Sequence, residues 1–150
     1  MALRYDAKKG EVVYIEGVRI QFATDSQLLL LDRIDILSTR MMISEKEANT
    51  PQKLFYRAIQ NVYTLHRSER SERASELLFR WREQGASIVK DAALFESIER
   101  ALELGDFYRI VRGLRTAIET TEPGFWASQA ERVREEERPV KEFVPKHKRI

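Results

Sequence analysis

The hydrophobic and polar positions divide the chain into three zones of different periodicity. Up to residue 48, short apolar runs alternate with polar positions at a period of two, as in residues 18–22, and this pattern predicts β-strands. Gly10 and the Glu16-Gly17 pair are turn candidates between these runs. Residues 28–31, four leucines, fit either a buried strand or a short helix. We expect an antiparallel meander of three to five strands, which needs a partner layer to be stable.

Residues 49–121 carry apolar positions at helical spacing and predict four helices. The first helix should begin at Thr50, whose side chain can cap free N–H groups, with Pro51 at its first position. Its inward face is expected to contain Leu54, Ala58, Val62 and Leu65, flanked by Phe55, Ile59 and Tyr63.

The other three helices have their own boundary signals. Ser71 can cap the second helix and Gly85 suits its end. The third helix should stop at Gly105, and Asp106 should cap the fourth, which Pro123-Gly124 would end. Strands followed by helices predict an α+β fold. We therefore expect a small antiparallel β-meander in residues 1–48, packed on a bundle of about four helices in residues 49–121, as one domain over residues 1–121.

Residues 122–150 form a charged zone that holds three of the four prolines. This composition predicts a flexible, largely disordered tail, because charged side chains stay hydrated and cannot offset the entropy of ordering. Phe125-Trp126 is the large apolar pair of this zone. We expect the pair to dock either on the core or on a partner.

Composition narrows the classes of function. The chain has 26 Lys+Arg against 24 Asp+Glu, a net charge of +2, which is too small for nucleic-acid binding by bulk charge alone. Two histidines and no cysteines exclude disulfides, thiolate metal sites and a His-rich metal site. No catalytic motif and no long apolar run is present, so we expect a cytoplasmic protein without enzyme activity, cofactor, metal or membrane segment.

Cationic side chains cluster around the junction of the first two helices. Arginine accounts for 18 of the 26 basic residues. Arginine beside aromatic rings is typical of single-stranded RNA binding, because guanidinium groups hold phosphates and rings stack on bases. Alternatively, nearby glutamates neutralise the cluster through pairs at helical spacing. The candidate site residues at this junction are Arg57, Tyr63, Arg67, Arg70 and Arg73, with His66, Arg80, Trp81 and Arg82 nearby, and with Arg33 and Arg40 on the strands as further candidates.

Three segments match a known family in order and spacing. The family's opening motif is L-x-L-x-x-G-E…I-N-G, and it is similar to residues 3–11 with Ile15-Glu16-Gly17. The family's closing motif is G-x-Y-Y-K-A-L…R-x-L-I, and it is similar to residues 105–109 with Arg115. The central segment, residues 44–63, is similar to the family's motif E-x-x-A-x-T-P-x-x-x-x-Y-x-A-x-Q-x-x-Y. Its matching residues include Thr50, Pro51, Tyr56, Gln60 and Tyr63. Over about 120 residues the chain thus resembles the FlbT family, the flagellum biosynthesis repressors of alphaproteobacteria.

The resemblance implies a post-transcriptional regulator, a repressor of flagellin synthesis that associates with the 5′ untranslated region of flagellin mRNA. The resemblance also implies flagellin itself and FlaF as partners in the same regulatory circuit. The sequence leaves the oligomeric state undecided, and a homo-oligomer is compatible with it. The alternative, which the near-neutral charge favours, is a protein-binding adaptor of flagellin or FlaF that affects the mRNA indirectly. The family usually has L-R-E after the last strand, whereas here Leu37 is followed by Ser38 and Thr39. An RNA contact by that arginine would be either lost or taken over by Arg40.

Overall fold

The computed structural model describes residues 3–32, 34 and 36–136, with the backbone alone for residues 3, 67 and 133–136. Its strands precede its helices, and every strand pairing is antiparallel, which confirms the α+β prediction. The strands are β1 (Leu3–Ala7), β2 (Val12–Ile15), β3 (Val18–Gln21), β4 (Ser26–Leu30) and β5 (Ile36–Ser38). The helices are α1 (Pro51–Tyr63), α2 (Arg70–Ile88), α3 (Ala92–Leu104), α4 (Phe107–Thr121) and α5 (Phe125–Glu136).

The strands form two small sheets. β2 and β3 make a hairpin whose turn residues, Glu16 and Gly17, both have positive φ, at 51° and 80°. Such turns match the twist of the strands that they join. β5 pairs with the other edge of β2, while β1 pairs with β4 in a two-stranded ribbon. A Cβ at Gly17 would lie 3.1–3.2 Å from backbone atoms of residues 64–66, so the hairpin tip packs against the end of α1.

The helices surround an aromatic core. The rings of Phe55 on α1 and Trp81 on α2 are 5.1 Å apart, and Phe95 on α3 stacks on Trp81 at 5.0 Å. The Thr50 side chain accepts a hydrogen bond from the Lys53 N–H at 3.2 Å, which confirms the predicted start of α1. Two further predicted boundaries are also confirmed, namely the left-handed Gly105 after α3 and the Asp106 cap of α4.

The buried face of α1 differs from the predicted one. Leu54 is 54% exposed and Ala58 is only partly buried, so these two residues of the predicted stripe lie toward solvent, whereas Val62 is buried as predicted. The face that packs on the core consists of Phe55, Tyr56, Ile59, Gln60, Val62 and Tyr63. Apolar spacing alone could not distinguish two overlapping stripes on one helix. Because Gln60 is polar, the buried face of α1 is not a continuous apolar stripe in the sequence.

The boundaries predicted for α2 are also wrong. A 3₁₀ turn at Arg67–Glu69 leads into the helix, so Ser71 lies exposed inside the first turn and does not cap it. Gly85 lies within the helix, not at its end. A Cβ there would approach the Phe95 ring to 2.7 Å and the Trp81 ring to 2.9 Å. Close approach of α3, and not helix termination, explains this glycine.

A fifth helix occupies the start of the region expected to be a tail. Trp126 on α5 is 8% exposed, its ring lies 5.1 Å from Tyr56, and its Nε1 donates a hydrogen bond to the Arg115 carbonyl at 3.0 Å. Gln129 donates to the Met42 carbonyl at 2.7 Å. The folded part therefore extends beyond residue 121, because the Phe125-Trp126 pair docks on the core. Residues 137–150 of the expected tail lie outside the described residues.

Candidate nucleic-acid interface

An open groove runs between α1 and α2 on the solvent side of the aromatic core. The two helices are antiparallel, with Val62 and Leu77 meeting at the groove floor. The groove has a volume of about 350 Å³. We define the α1–α2 groove by the side chains that line its two walls, which are Ala58, Asn61, Leu65, Arg73, Glu76 and Arg80.

The groove presents cations at both ends of its α2 wall. Arg73 forms a 3.1 Å ion pair with Glu76, but both side chains are more than half exposed, and such a surface pair is weak and screened by salt. The Arg80 guanidinium lies 5.9 Å from the buried Phe55 ring, a cation–π contact that orients it. Within the described part of the chain, no carboxylate pairs with Arg80.

Arg57 adds a further cation on the solvent side of α1. It lies one helical turn before Asn61, so the two side chains are neighbours on that surface. Its Nε is buried and has no hydrogen-bond partner among the described residues. Arg57, Asn61, Arg73 and Arg80 therefore combine cations with an amide that can both donate and accept hydrogen bonds.

Two residues predicted for the site are parts of the core. Tyr63 is 1% exposed and Arg70 is 6% exposed. The Arg70 guanidinium lies 5.4 Å from the Tyr63 ring, and its Nε donates to the Leu65 carbonyl at 3.4 Å. These two side chains hold the junction between α1 and α2 together, and burial withdraws both from the surface.

Arg40, which is expected on a strand, lies in a 3₁₀ turn after β5 and does not line the groove. Arg40 Nη1 forms a 3.1 Å ion pair with Glu11, a buried carboxylate that also accepts a 2.8 Å hydrogen bond from the Tyr5 hydroxyl. Burial and this hydrogen bond raise the pKa of Tyr5. Arg40 thus uses its charge to neutralise Glu11. Arg33 and the Arg67 side chain lie outside the described residues.

The predicted family-motif residues support the fold from the opposite side of α1. Gln60 accepts a hydrogen bond from the Ile43 N–H at 2.7 Å and donates to the Ile43 carbonyl at 2.9 Å. The Tyr56 hydroxyl donates to the Met41 carbonyl. Thr50 caps α1, and Pro51 occupies its first position without a core contact of its own. Tyr56 and Gln60 of the motif therefore connect α1 to the segment that follows β5.

The sequence reasoning missed Asn61 and placed two other residues near a site to which they do not contribute. Arg82 is held by Glu99 and Glu103 of α3 at 3.1 Å each, and Trp81 is fully buried. Once the buried face of α1 is known, the spacing of Ala58, Asn61 and Leu65 identifies the groove wall. The sequence predicts Ala58 and Leu65 for the core stripe, whereas the structure places both on the groove wall beside Asn61.

No group of three or more His, Asp or Glu side chains is arranged to hold a metal ion within residues 3–32, 34 and 36–136. None of the helices described here has the length and the apolar character needed to cross a membrane.

The chain belongs to the flagellar protein FlbT family, whose model matches residues 3–123. The match spans every element from β1 to α4 and confirms the resemblance seen in the sequence. It identifies a flagellar regulatory protein. Neither the curated proteins nor the solved structures compared with the chain gave a match.

Proposed function

We propose that this protein is a post-transcriptional regulator that represses flagellin synthesis by associating with the 5′ untranslated region of flagellin mRNA, and that the RNA contacts the α1–α2 groove. The family match over residues 3–123 carries the proposal. The groove supplies a surface of suitable chemistry, since it joins exposed arginines to an exposed amide on two rigid helices.

A single RNA strand suits this groove better than a duplex. Arg73 and Arg80 lie seven residues apart on α2, two helical turns or about 11 Å along the axis, a spacing that fits phosphates of a short extended segment. Asn61 on the opposite wall can bond to the edge of an unstacked base. With a net charge of only +2, affinity must come from such local contacts and not from the bulk charge of the protein.

The test is binding of a labelled flagellin leader RNA to the full chain, measured by fluorescence anisotropy over a range of salt concentrations. The groove variant is Arg73→Gln with Arg80→Gln. The matched control is Arg109→Gln with Arg112→Gln, which removes the same charge from exposed positions of α4. We expect the groove variant to bind at least about tenfold more weakly and to lower the salt slope by about two, while the control stays close to the parent chain.

Equal losses in the two double variants would show that the groove is not the RNA site. Absence of salt-dependent binding by the parent chain would overturn direct RNA association altogether. Both variants change exposed side chains, so their melting temperatures should match that of the parent chain.

A protein-binding adaptor of flagellin or FlaF is the second candidate function. Four large apolar side chains on the described helices are more than half exposed, Leu54 at 54%, Phe79 at 64%, Leu104 at 68% and Tyr108 at 53%. Exposed apolar and aromatic groups favour contacts with protein partners over contacts with phosphates. Tight binding of flagellin or FlaF that Phe79→Ser weakens, together with no RNA binding, would support the adaptor.

A further inference from the structure

The β1–β4 ribbon exposes an unusually apolar strand. Leu29 is 62% exposed and Leu31 is 80% exposed, while Leu28 and Leu30 are half-buried. No residue from 26 to 31 carries a charge. Among the described strands, β1 is the only one that pairs with β4, so the other edge of β4 presents free backbone groups. We call residues 26–31 with this free edge the β4 edge.

Isolated ribbons and bare edges of this kind are unfavourable. A two-stranded sheet is marginally stable in water, and an exposed apolar edge recruits another strand unless a charge, a proline or a bulge blocks it. None of these devices occurs in residues 26–31, and the pairing of β4 with β1 runs without a bulge from Ser26 to Leu30. The β4 edge is therefore built to be covered.

A second copy of the chain fits the β4 edge. Antiparallel pairing about Leu29 brings that residue opposite its own copy, and it sets Leu28 opposite Leu30 and Gln27 opposite Leu31. The ends of this register are compatible too, since Ser26 can donate a hydrogen bond to Asp32 of the other copy. A shift by one position would oppose Asp25 to Asp32, two carboxylates that repel each other. Charge therefore disfavours that shifted register, whereas the register centred on Leu29 opposes no two like charges within residues 25–33.

We propose that the β4 edge pairs with the same edge of a second copy, and that this pairing joins the two ribbons into one four-stranded sheet. The arrangement has two-fold symmetry, so the same surface serves both chains and the assembly closes as a dimer. Such a dimer covers Leu29 in both chains and leaves the α1–α2 groove of each chain on a different part of the fold. The proposal is independent of RNA binding.

Crosslinking through a single introduced cysteine tests the register directly. The chain has no cysteine, so Leu29→Cys places one thiol on each side of the two-fold axis. Opposed residues of antiparallel strands have Cα atoms about 4.5–5.5 Å apart, within the range that a disulfide spans. Under mild oxidation we expect a disulfide-linked dimer on a non-reducing gel. Leu104→Cys, at an equally exposed helix position, should stay monomeric. No dimer from Leu29→Cys, or an equal yield from both variants, would overturn the proposal.

Charges of opposite sign introduced at Leu29, the centre of the register, give a second test in solution. We expect light scattering after size exclusion to give the parent chain twice its 17.6 kDa mass. Leu29→Lys alone and Leu29→Glu alone should each give a monomer, because like charges face each other across the axis. An equal mixture of the two variants should restore the dimer. A monomeric parent chain, a dimeric Leu29→Lys variant or a mixture that stays monomeric would each contradict pairing about Leu29.

Discussion

The two sides of α1 differ in chemistry and in use. The buried side holds Tyr56 and Gln60, whose polar groups bind the backbone at residues 41 and 43. The solvent side holds Asn61, which borders the α1–α2 groove, and Arg57 one helical turn before it. One helix thus connects the strands to the helical core on one side and offers a binding surface on the other.

This difference between the two sides of α1 shows which kind of residue the family motif contains. Three of the residues that carry the resemblance within α1, Tyr56, Gln60 and Tyr63, lie on its buried side, whereas Pro51 is exposed and Ala58 lines the groove. A buried side chain that satisfies backbone groups has few acceptable replacements, because each alternative leaves a donor or an acceptor without a partner. The motif therefore identifies the fold. The charged groups of the groove lie outside the motif, which contributes only Ala58 to the groove walls.

Removing the Tyr56 ring should have the largest effect on stability. Tyr56 is fully buried and packs on Trp126 at 5.1 Å. Tyr56→Ala leaves a cavity and a free Met41 carbonyl, and we expect a loss of about 3–5 kcal/mol in urea unfolding. Asn61→Ala, on the opposite side of the same helix, should change the unfolding free energy by less than about 0.5 kcal/mol. Comparable losses in both variants would show that the two sides of α1 are not distinct.

Gln60→Leu should destabilise the protein by about 2–4 kcal/mol, although it adds apolar surface to a buried site. Both hydrogen bonds of the side chain go to the backbone of Ile43, so the substitution leaves a buried N–H and a buried carbonyl unpaired. Gln60→Glu supplies the control, because its carboxylate accepts from the Ile43 N–H but cannot donate to the carbonyl. At neutral pH, thermal and urea unfolding should place it well below the parent chain, because a buried carboxylate that faces the Ile43 carbonyl is unfavourable. A Gln60→Leu variant as stable as the parent chain would contradict this role.

Local signals in the sequence predicted much of the fold. Thr50, Asp106 and Gly105 mark helix boundaries through backbone hydrogen bonds and positive φ, and these are local effects that sequence spacing reveals. Local spacing predicts a helix end at Gly85, but the role of this glycine depends on α3, which packs against it from another part of the chain. The pairing of β1 with β4 likewise depends on tertiary contacts that alternation of apolar and polar residues does not specify.

The candidate site was harder to predict, since arginine is amphipathic. Arg70 and Arg73 are three residues apart and look alike in the sequence, yet Arg70 lies under the α1–α2 junction while Arg73 lies at the surface. The difference lies in the rotation of α2, which begins at Arg70 directly after the 3₁₀ turn at Arg67–Glu69. Without that rotation, a cluster of arginines cannot be divided into core and surface members.

Acid should weaken the contact that holds α5 near the start of α1. Burial raises the pKa of Glu47, but hydrogen bonds from Arg132, Gln129 and Ser44 outweigh it and lower the pKa to about 2. The Glu47 carboxylate therefore binds a proton less readily in the folded state than in the unfolded state, where its pKa is about 4.5. Glu47 stabilises the fold fully above pH 4.5, and this contribution is lost as the pH falls toward 2.

Glu47→Gln should therefore cost about 1–2 kcal/mol at pH 7 and much less near pH 2. Urea unfolding at a series of pH values measures the difference between the variant and the parent chain. Glu72→Gln, at an exposed position of α2, is the control and should show no such trend. A constant difference at every pH would mean that the ionisation of Glu47 does not support the fold.

Thr50→Ala should have the smallest effect, because it removes a single hydrogen bond from the first turn of α1. The Thr50 side chain accepts from the Lys53 N–H at 3.2 Å, and loss of such a cap costs about 1 kcal/mol. In a chain of this length that lowers the melting temperature by about 2–4 °C. Thr50→Ser keeps the hydroxyl and should melt close to the parent chain. Since the cap supports both sides of α1 equally, Thr50→Ala should leave RNA affinity unchanged below the melting transition. A loss of affinity in a folded Thr50→Ala variant would show that the start of α1, and not only the groove, contacts the RNA.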